Sequence, residues 1–405
     1  MNGLSQMLMG KELEAALTVL PEYDNSIRQE DAATRLVELS NLFDSYIPSN
    51  MTTEIYSKLY LAMLRSLNKK NTKLAVKQRN CSNGIMGGSD SFSLIGCSGI
   101  GKSSAIMNSL NLISPTNLYE KEKPYSKIIP YILCQCPHDC SVKGLMLDIL
   151  RQVDERLDSK FYDSALRARA TTDMLIGSAS KICLNHVGML IIDEIQNVCN
   201  NRTGVNLVAM LTQLINSSGI SICMVGTPES ASFFESKMYL ARRSIGLKFD
   251  SLPYDNYFSD FCKIVFGYQY TKNDSAIDDG IINWLYEHSG GLISMVVALI
   301  HDAQEIAILS GYELLDLSML NKAYNERMQM LHTHIEPSIK KRSQTSKRVR
   351  QKSSNDLQAT VQTADEPLLS SEDINIVDLV KHAKTNNLDV VDVLKKYIPV
   401  VEVAI

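Results

Sequence analysis

Short apolar runs alternate along the middle of the chain with longer segments of helical period. The runs are residues 91–95 (SFSLI), 128–136 (IIPYILCQC), 188–193 (GMLIID) and 220–226 (ISICMVG). Each is too short for a helix and apolar at successive positions, the pattern of a strand buried on both faces. Between them, residues 142–157 place Leu145, Leu147, Ile149, Leu150 and Val153 at helical spacing, and a helix is expected from Ser103 onward. Strands separated by helices predict an α/β core with a parallel sheet covered on both sides. From about Tyr254 the strand pattern stops. Residues 254–266, 278–288, 292–309 and 317–331 read as helices, a small all-helical piece.

The ends differ from this core. Residues 1 to about 80 read as helical and peripheral, with breaks at Pro21 and Pro48 and an amphipathic helix over 52–67. Residues 80–90 read as a polar loop. Beyond the helical piece, 340–352 (KKRSQTSKRVRQK) is basic and 353–373 is acidic-polar without period, a flexible linker. Helical patterning returns over 374–401, as a docking element for a partner. The expected division is 1–90 as an N-terminal arm and linker, 91–253 as core, 254–335 as helical lid, 336–373 as linker and 374–405 as docking segment.

Composition adds little to this. The 405 residues are 45% hydrophobic and 21% charged, enough to bury a core, and the net charge of -4 does not announce nucleic acid. No window offers the roughly 18 to 20 uninterrupted apolar residues of a membrane span. Lys11, Glu12 and Glu14 interrupt the N-terminus where a secretory signal would continue, so none is expected. The 9 cysteines show no small-scaffold spacing and are expected as reduced thiols of a cytoplasm. CQCPHDC groups Cys134, Cys136, His138 and Cys140, but it lacks paired zinc knuckles and overlaps a predicted strand whose alternate side chains diverge. A structural role is the expectation there.

The chemistry begins where the first strand ends. GCSGIGKS, from Gly96 through Cys97, Ser98, Gly99, Ile100, Gly101 and Lys102 to Ser103, satisfies the P-loop pattern G-x-x-x-x-G-K-[ST], and Ser104 follows in the helix. Glycines let backbone N–H groups turn inward around phosphates, Lys102 reaches the β/γ oxygens, and Ser103 can hold Mg²⁺. MLIIDE ends a buried strand in Asp193, a Mg²⁺ ligand candidate, and Glu194, which can activate water. Thr227 ends the next strand, as a γ-phosphate sensor or simply as part of a Gly-Thr-Pro turn. Arg242 and Arg243 follow in YLARRSIGL, where one of them can act as a finger on a neighbouring subunit's nucleotide. TKND over 271–274 resembles a guanine-reading string, but Asp193 is followed by Glu-Ile-Gln rather than a D-x-x-G switch, so ATP is the expected nucleotide.

FSLIGCSGIGKSSAIMNSL, ILCQCPHDCSVKGLMLDILRQVD, LIIDEIQNV and MVGTPESASFFESKMYLARRSIGL, in this order, resemble the TnsC family of AAA+ transposition regulators, over roughly residues 15 to 340. LPEYDNSIR near the N-terminus is similar to that family as well. Cys140 stands where the family tends to have glycine, and Ser294 where many AAA+ proteins have a sensor arginine. The resemblance implies an AAA+ ATPase of the bacterial cytoplasm that forms a hexamer- or heptamer-like ring or a filament on duplex DNA. It implies a link from a target-selection protein to transposase subunits. By position, sensor and finger roles fall on Thr227 and on the Arg242/Arg243 pair. Two basic runs supply candidate contacts to DNA phosphates: Lys69, Lys70, Lys73, Lys77 and Arg79, and Lys340, Lys341 and Arg342. Their plainer account is as solvated linkers. A helicase loader or replication initiator, and an ATP-gated adaptor with little turnover, are the alternatives.

Overall fold

The computed structural model describes residues 4–71, 90–120, 127–231 and 246–332. Six strands, β1 (Phe92–Gly96), β2 (Tyr119–Glu120), β3 (Lys127–Gln135), β4 (Val187–Asp193), β5 (Ser221–Gly226) and β6 (Leu247–Phe249), form one sheet of order β2-β3-β4-β5-β1-β6. β2 runs antiparallel to β3, and the other five strands are mutually parallel. β5 therefore lies between β1, which ends in the P-loop, and β4, which ends in Asp193.

The period of two in each strand sorts side chains onto two faces. Ile132, Leu190, Ile192, Ile222 and Met224 share one core with buried residues of helices Val142–Leu157, Thr172–His186 and Gly204–Ser218. Leu94, Met189, Ile191, Cys223 and Val225 share another with residues of Lys102–Ile113, Asn50–Asn71 and Gly10–Leu17. Continuous apolar runs were required because both faces are covered.

Helices Asn256–Phe266, Asp279–Ser289, Ile293–Ser310 and Leu317–Arg327, with a 3-10 turn at Gln329–Leu331, build the lid. Asp255, Asp278 and Asp316 cap three of them, each accepting from a backbone N–H of the first turn at 2.7–3.0 Å. Ile293–Ser310 is, among the described residues, the one helix long and apolar enough by composition to cross a membrane, with half of it buried inside the protein. Val296, Leu299, Ile300, Ala303 and Ala307 place it in the lid core.

The N-terminal segment is not peripheral. Leu13, Leu17, Ile55, Tyr56, Leu59 and Met63 are buried in the sheet-face core. Leu39 and Leu42 are buried in the lid core, with Tyr23, Ile27 and Ile47 packed on it. Backbone hydrogen bonds of 2.8 and 2.6 Å between Val19 and Tyr46 close the neck of this excursion from core to lid. Arg35, only 1% exposed, makes a bidentate pair of 2.7 Å bonds with Glu313 and donates to Tyr270 O at 2.9 Å. Arg28 donates to Thr271 O and to Asp274, at 2.8 and 3.1 Å. TKND is thus the lid loop that receives the arm.

Cys134, Cys136 and Cys140 are buried, and among the described residues they do not converge with His138 as a ligand set. Burial pushes the Cys136 thiol up to about 12. The Cys140 backbone is left-handed at φ 52, a conformation that glycine adopts without cost. The expectations for 336–373 and 374–405 lie outside the described residues.

Removing one partner of a buried ion pair leaves a stranded charge, so Arg35→Ala is expected to lower stability by about 3 kcal/mol. The Arg35 guanidinium holds the Glu313 carboxyl below its ordinary value of 4.5. A depressed carboxyl stabilises the fold above that value, and the contribution is lost as pH falls through the depressed one. Urea titrations are therefore expected to show a large Arg35→Ala deficit at neutral pH that narrows in acid.

Candidate active site

β1 leads into a loop whose shape its glycines dictate. Gly99 and Gly101 have φ of +83° and +90°, the left-handed region where a Cβ is strained. At Gly96 a Cβ would meet Ile100 Cδ1 at 2.6 Å and Phe249 O at 2.8 Å, so the loop can turn back there only without a side chain. Lys102, 8% exposed, opens the following helix and donates from Nζ to Gly96 O and Cys97 O, both at 2.7 Å. Burial pulls its pKa below the ordinary value, against the opposing pull of Asp193, Cys97 and Glu194. A polyphosphate seated in the loop would give this ammonium the negative charge it lacks.

The acidic half comes from β4. Ser103 Oγ donates to Asp193 Oδ2 at 3.0 Å, joining the P-loop helix to the end of the Walker-type strand. Glu194 leaves the strand line at φ 57, left-handed for a non-glycine residue, and its N–H donates to Asp193 Oδ1 at 2.8 Å. That conformation costs about 1–2 kcal/mol and exposes the carboxylate. Gln196 Nε2 donates to Glu194 Oε2, and Thr227 N donates to Gln196 Oε1 at 3.3 Å. Thr227 Oγ1 donates to Glu229 at 3.4 Å.

P-loop residues, Asp193, Glu194, Gln196 and Thr227 line one cavity of about 280 Å³, with Ser294 closing it from the lid. Ser294 N donates to Gly99 O at 3.3 Å, so the lid touches the loop at the position where the resemblance would put a sensor arginine. Ser103 and Asp193 offer only oxygen donors, the set that a hard cation such as Mg²⁺ takes. The residues present therefore fit that ion.

A second cavity of about 240 Å³ shares Gly99, Gly101, Ser104 and Ser294 with the first. Its other walls come from the arm (Phe43 to Thr52) and the lid (Phe261, Ile293, Val297). Ser45 Oγ and Ser49 Oγ are buried there without a hydrogen-bond partner among the described residues. Apolar walls with orphaned hydroxyls, adjoining a phosphate cradle, suit a flat heteroaromatic base. The arm's part in this wall was missed from sequence. Its only signal was Phe43 and Tyr46 shortly before the break at Pro48, which is no motif.

Residues 86–234 match the protein family described as an AAA domain. With a five-strand parallel sheet, a P-loop and paired acids already in place, this decides the class. The chain carries an AAA+ P-loop NTPase fold. No curated protein matches the chain by sequence. Among solved structures it is similar to the ORC1 protein of Aeropyrum pernix in complex with DNA, at 17% identity and TM-score 0.43. That match covers 66% of this chain and 64% of that one, less than two thirds of its length. The ORC2 protein of Aeropyrum pernix in its ADP form is similar at 14% identity and TM-score 0.45, covering 71% and 72%. A Walker-type ATPase of Pyrococcus abyssi is similar at 14% identity and TM-score 0.40, covering 82% and 90%.

The AAA+ fold brings Gly96 through Ser104, Asp193, Glu194 and Thr227 to the carboxyl ends of three interior strands. Arg242 and Arg243 lie outside the described residues, as do Lys73, Lys77, Arg79, Lys340, Lys341 and Arg342. Lys69 and Lys70 fall in the last turn of helix Asn50–Asn71, with their side chains outside the described set. Arg65, which opens the first basic run, pairs with Asp90 at 3.3 Å.

A cation contributes about 1.5–3 kcal/mol through charged hydrogen bonds, so Lys102→Ala is expected to weaken Mg-ATP binding roughly 10- to 100-fold. Titration with a fluorescent ATP analogue checks this, and an affinity within about twofold of the parent would exclude Lys102 from the phosphate site.

Proposed function

We propose that the chain is an ATP-dependent, DNA-binding regulator of transposition. In this reading it oligomerises on target DNA, as a ring or filament, and links a target-selection protein to transposase subunits. ATP hydrolysis then controls assembly and disassembly. The observation that carries the ATPase part is the meeting of Lys102, Ser103, Asp193 and Glu194 around one cavity. The transposition part is supported by the ordered resemblance of the P-loop, CPHDC, DEIQ and GTP…ARR strings to the TnsC family.

The chemistry assigned to the chain is attack of water on the γ-phosphorus, with cleavage of the bond to the bridging β–γ oxygen. Lys102 holds the β/γ oxygens, Glu194 accepts the water's proton, and Thr227 senses the γ-phosphate. When bound by Ser103 and Asp193, Mg²⁺ supplies neutralisation of charge on the phosphate oxygens. Arg242 or Arg243 acts on the neighbouring subunit's nucleotide, which makes turnover depend on assembly. Basic residues of the 65–79 and 340–352 runs contact DNA phosphates without reading bases. A helicase loader or replication initiator fits the AAA-domain match of residues 86–234 equally well, and only partner identity separates it from the leading reading.

Electron microscopy of the chain on duplex DNA with ATP, a non-hydrolysable analogue and ADP tests the proposal. DNA-coating oligomers are expected with the first two and their loss with ADP; none under any nucleotide overturns it. Glu194→Gln is expected to hold the ATP-assembled state at least about tenfold longer, because the chemical step is slowed while binding stays. Normal disassembly of that variant would remove Glu194 from the role of base. Stimulation of a transposase, rather than loading of a helicase, is the outcome that separates the two readings.

A further inference from the structure

One polar side chain in the crevice has no part in the chemistry above. The Gln196 carboxamide joins groups from two strand ends: Nε2 donates to Glu194 Oε2, and Oε1 accepts from Thr227 N at 3.3 Å. A carboxylate only accepts and a backbone N–H only donates, so these partners determine which way round the carboxamide sits. Half a turn would set oxygen against carboxylate and NH₂ against N–H.

The surrounding backbone holds this bridge in place. Ile195 N donates to Val225 O at 2.9 Å, which pins the turn after β4 to β5. Asn197 N donates to Glu194 O at 3.1 Å and Cys199 N to Gln196 O at 2.9 Å, which close that turn. Gly226 leaves the space: a Cβ there would meet Ile195 Cγ2 at 2.7 Å and Gln196 Oε1 at 3.0 Å. A shift of the Thr227 end of β5 must therefore carry the Glu194 carboxylate with it or break one of the two bonds.

We propose that Gln196 is a positioning residue that couples Thr227 at the end of β5 to the carboxylate of Glu194. Occupancy beside Thr227 then sets where Glu194 holds the attacking water. This rests on the reading of the crevice as an ATPase site. Gln196 acts through Glu194. Methionine matches its length without either bond, and glutamate matches its shape but sets one carboxylate against another.

The test is steady-state ATP turnover by the full chain with Mg²⁺ and duplex DNA, beside ATP affinity, for parent, Gln196→Met, Gln196→Glu and each change in a Glu194→Gln background. Gln196→Met is expected to lower kcat about tenfold or more with KM and affinity within about twofold. Gln196→Glu is expected to lose as much, because a carboxylate has no N–H to donate to Glu194. In the Glu194→Gln background neither change is expected to cost more, since the two residues act as one unit. Parent-like kcat in Gln196→Met, equal losses of affinity and turnover, or additive losses would overturn the coupling. A parent chain that binds ATP and never hydrolyses it would instead overturn the ATPase reading itself.

Discussion

A single hydrogen bond, Ser103 Oγ to Asp193 Oδ2 at 3.0 Å, joins the two halves of the site, and much of the fold is what makes it possible. Their parent strands are not neighbours. β5 lies between β1 and β4, so the strands stand about 9.5 Å apart, two spacings of a sheet. The P-loop must arch over the end of β5 to close that gap. Left-handed turns at Gly99 and Gly101 provide the arch, and Gly226 ends β5 with nothing to obstruct the turn after β4. Gln196 contacts Glu194 directly, and Thr227, far from it in sequence, joins it through the Gln196 carboxamide.

The same crevice is tied to the lid by the arm. The chain leaves the sheet-face core at Val19, packs Tyr23 to Leu42 on the lid, and returns at Tyr46 into helix Asn50–Asn71. Arg35 and Glu313 fasten the excursion at its far end, and the Val19–Tyr46 bridge closes it at the near end. The segment between Phe43 and Thr52 walls the second cavity. A base seated there would touch arm, lid and P-loop together, and would link nucleotide occupancy to lid position.

The order of apolar runs was enough to read the sheet because burial on both faces leaves no other pattern. β4 was expected at 188–193 and is Val187–Asp193; the P-loop and its acids needed only spacing. Other parts were illegible for physical reasons. β6 has three residues, Leu-Lys-Phe, too few to show a period, yet it covers the free edge of β1. Helix Thr172–His186 has the small Ala179 and the polar Ser180 within its buried stripe, and Gly204–Ser218 follows a turn-rich stretch without a capping side chain. The arm was read as peripheral because its contacts are tertiary: nothing local marks Arg35 for Glu313. TKND looked like a base-reading string and is a set of carbonyls and one carboxylate for Arg28.

Gln196 shows where sequence reading stops even inside a motif. DEIQ was legible as two acids, and the glutamine was only part of a resemblance. Its role needs the three-dimensional fact that β5, not β3, supplies the next strand end. In the proposed reading, Asp193 and the P-loop form one Mg²⁺-dependent hydrolytic site. Single-turnover release of phosphate from γ-labelled ATP, with and without a chelator, in the parent and in Asp193→Asn, tests it most directly. Release that requires Mg²⁺ and is lost in Asp193→Asn is the predicted result. Release that survives both the chelator and Asp193→Asn would contradict it.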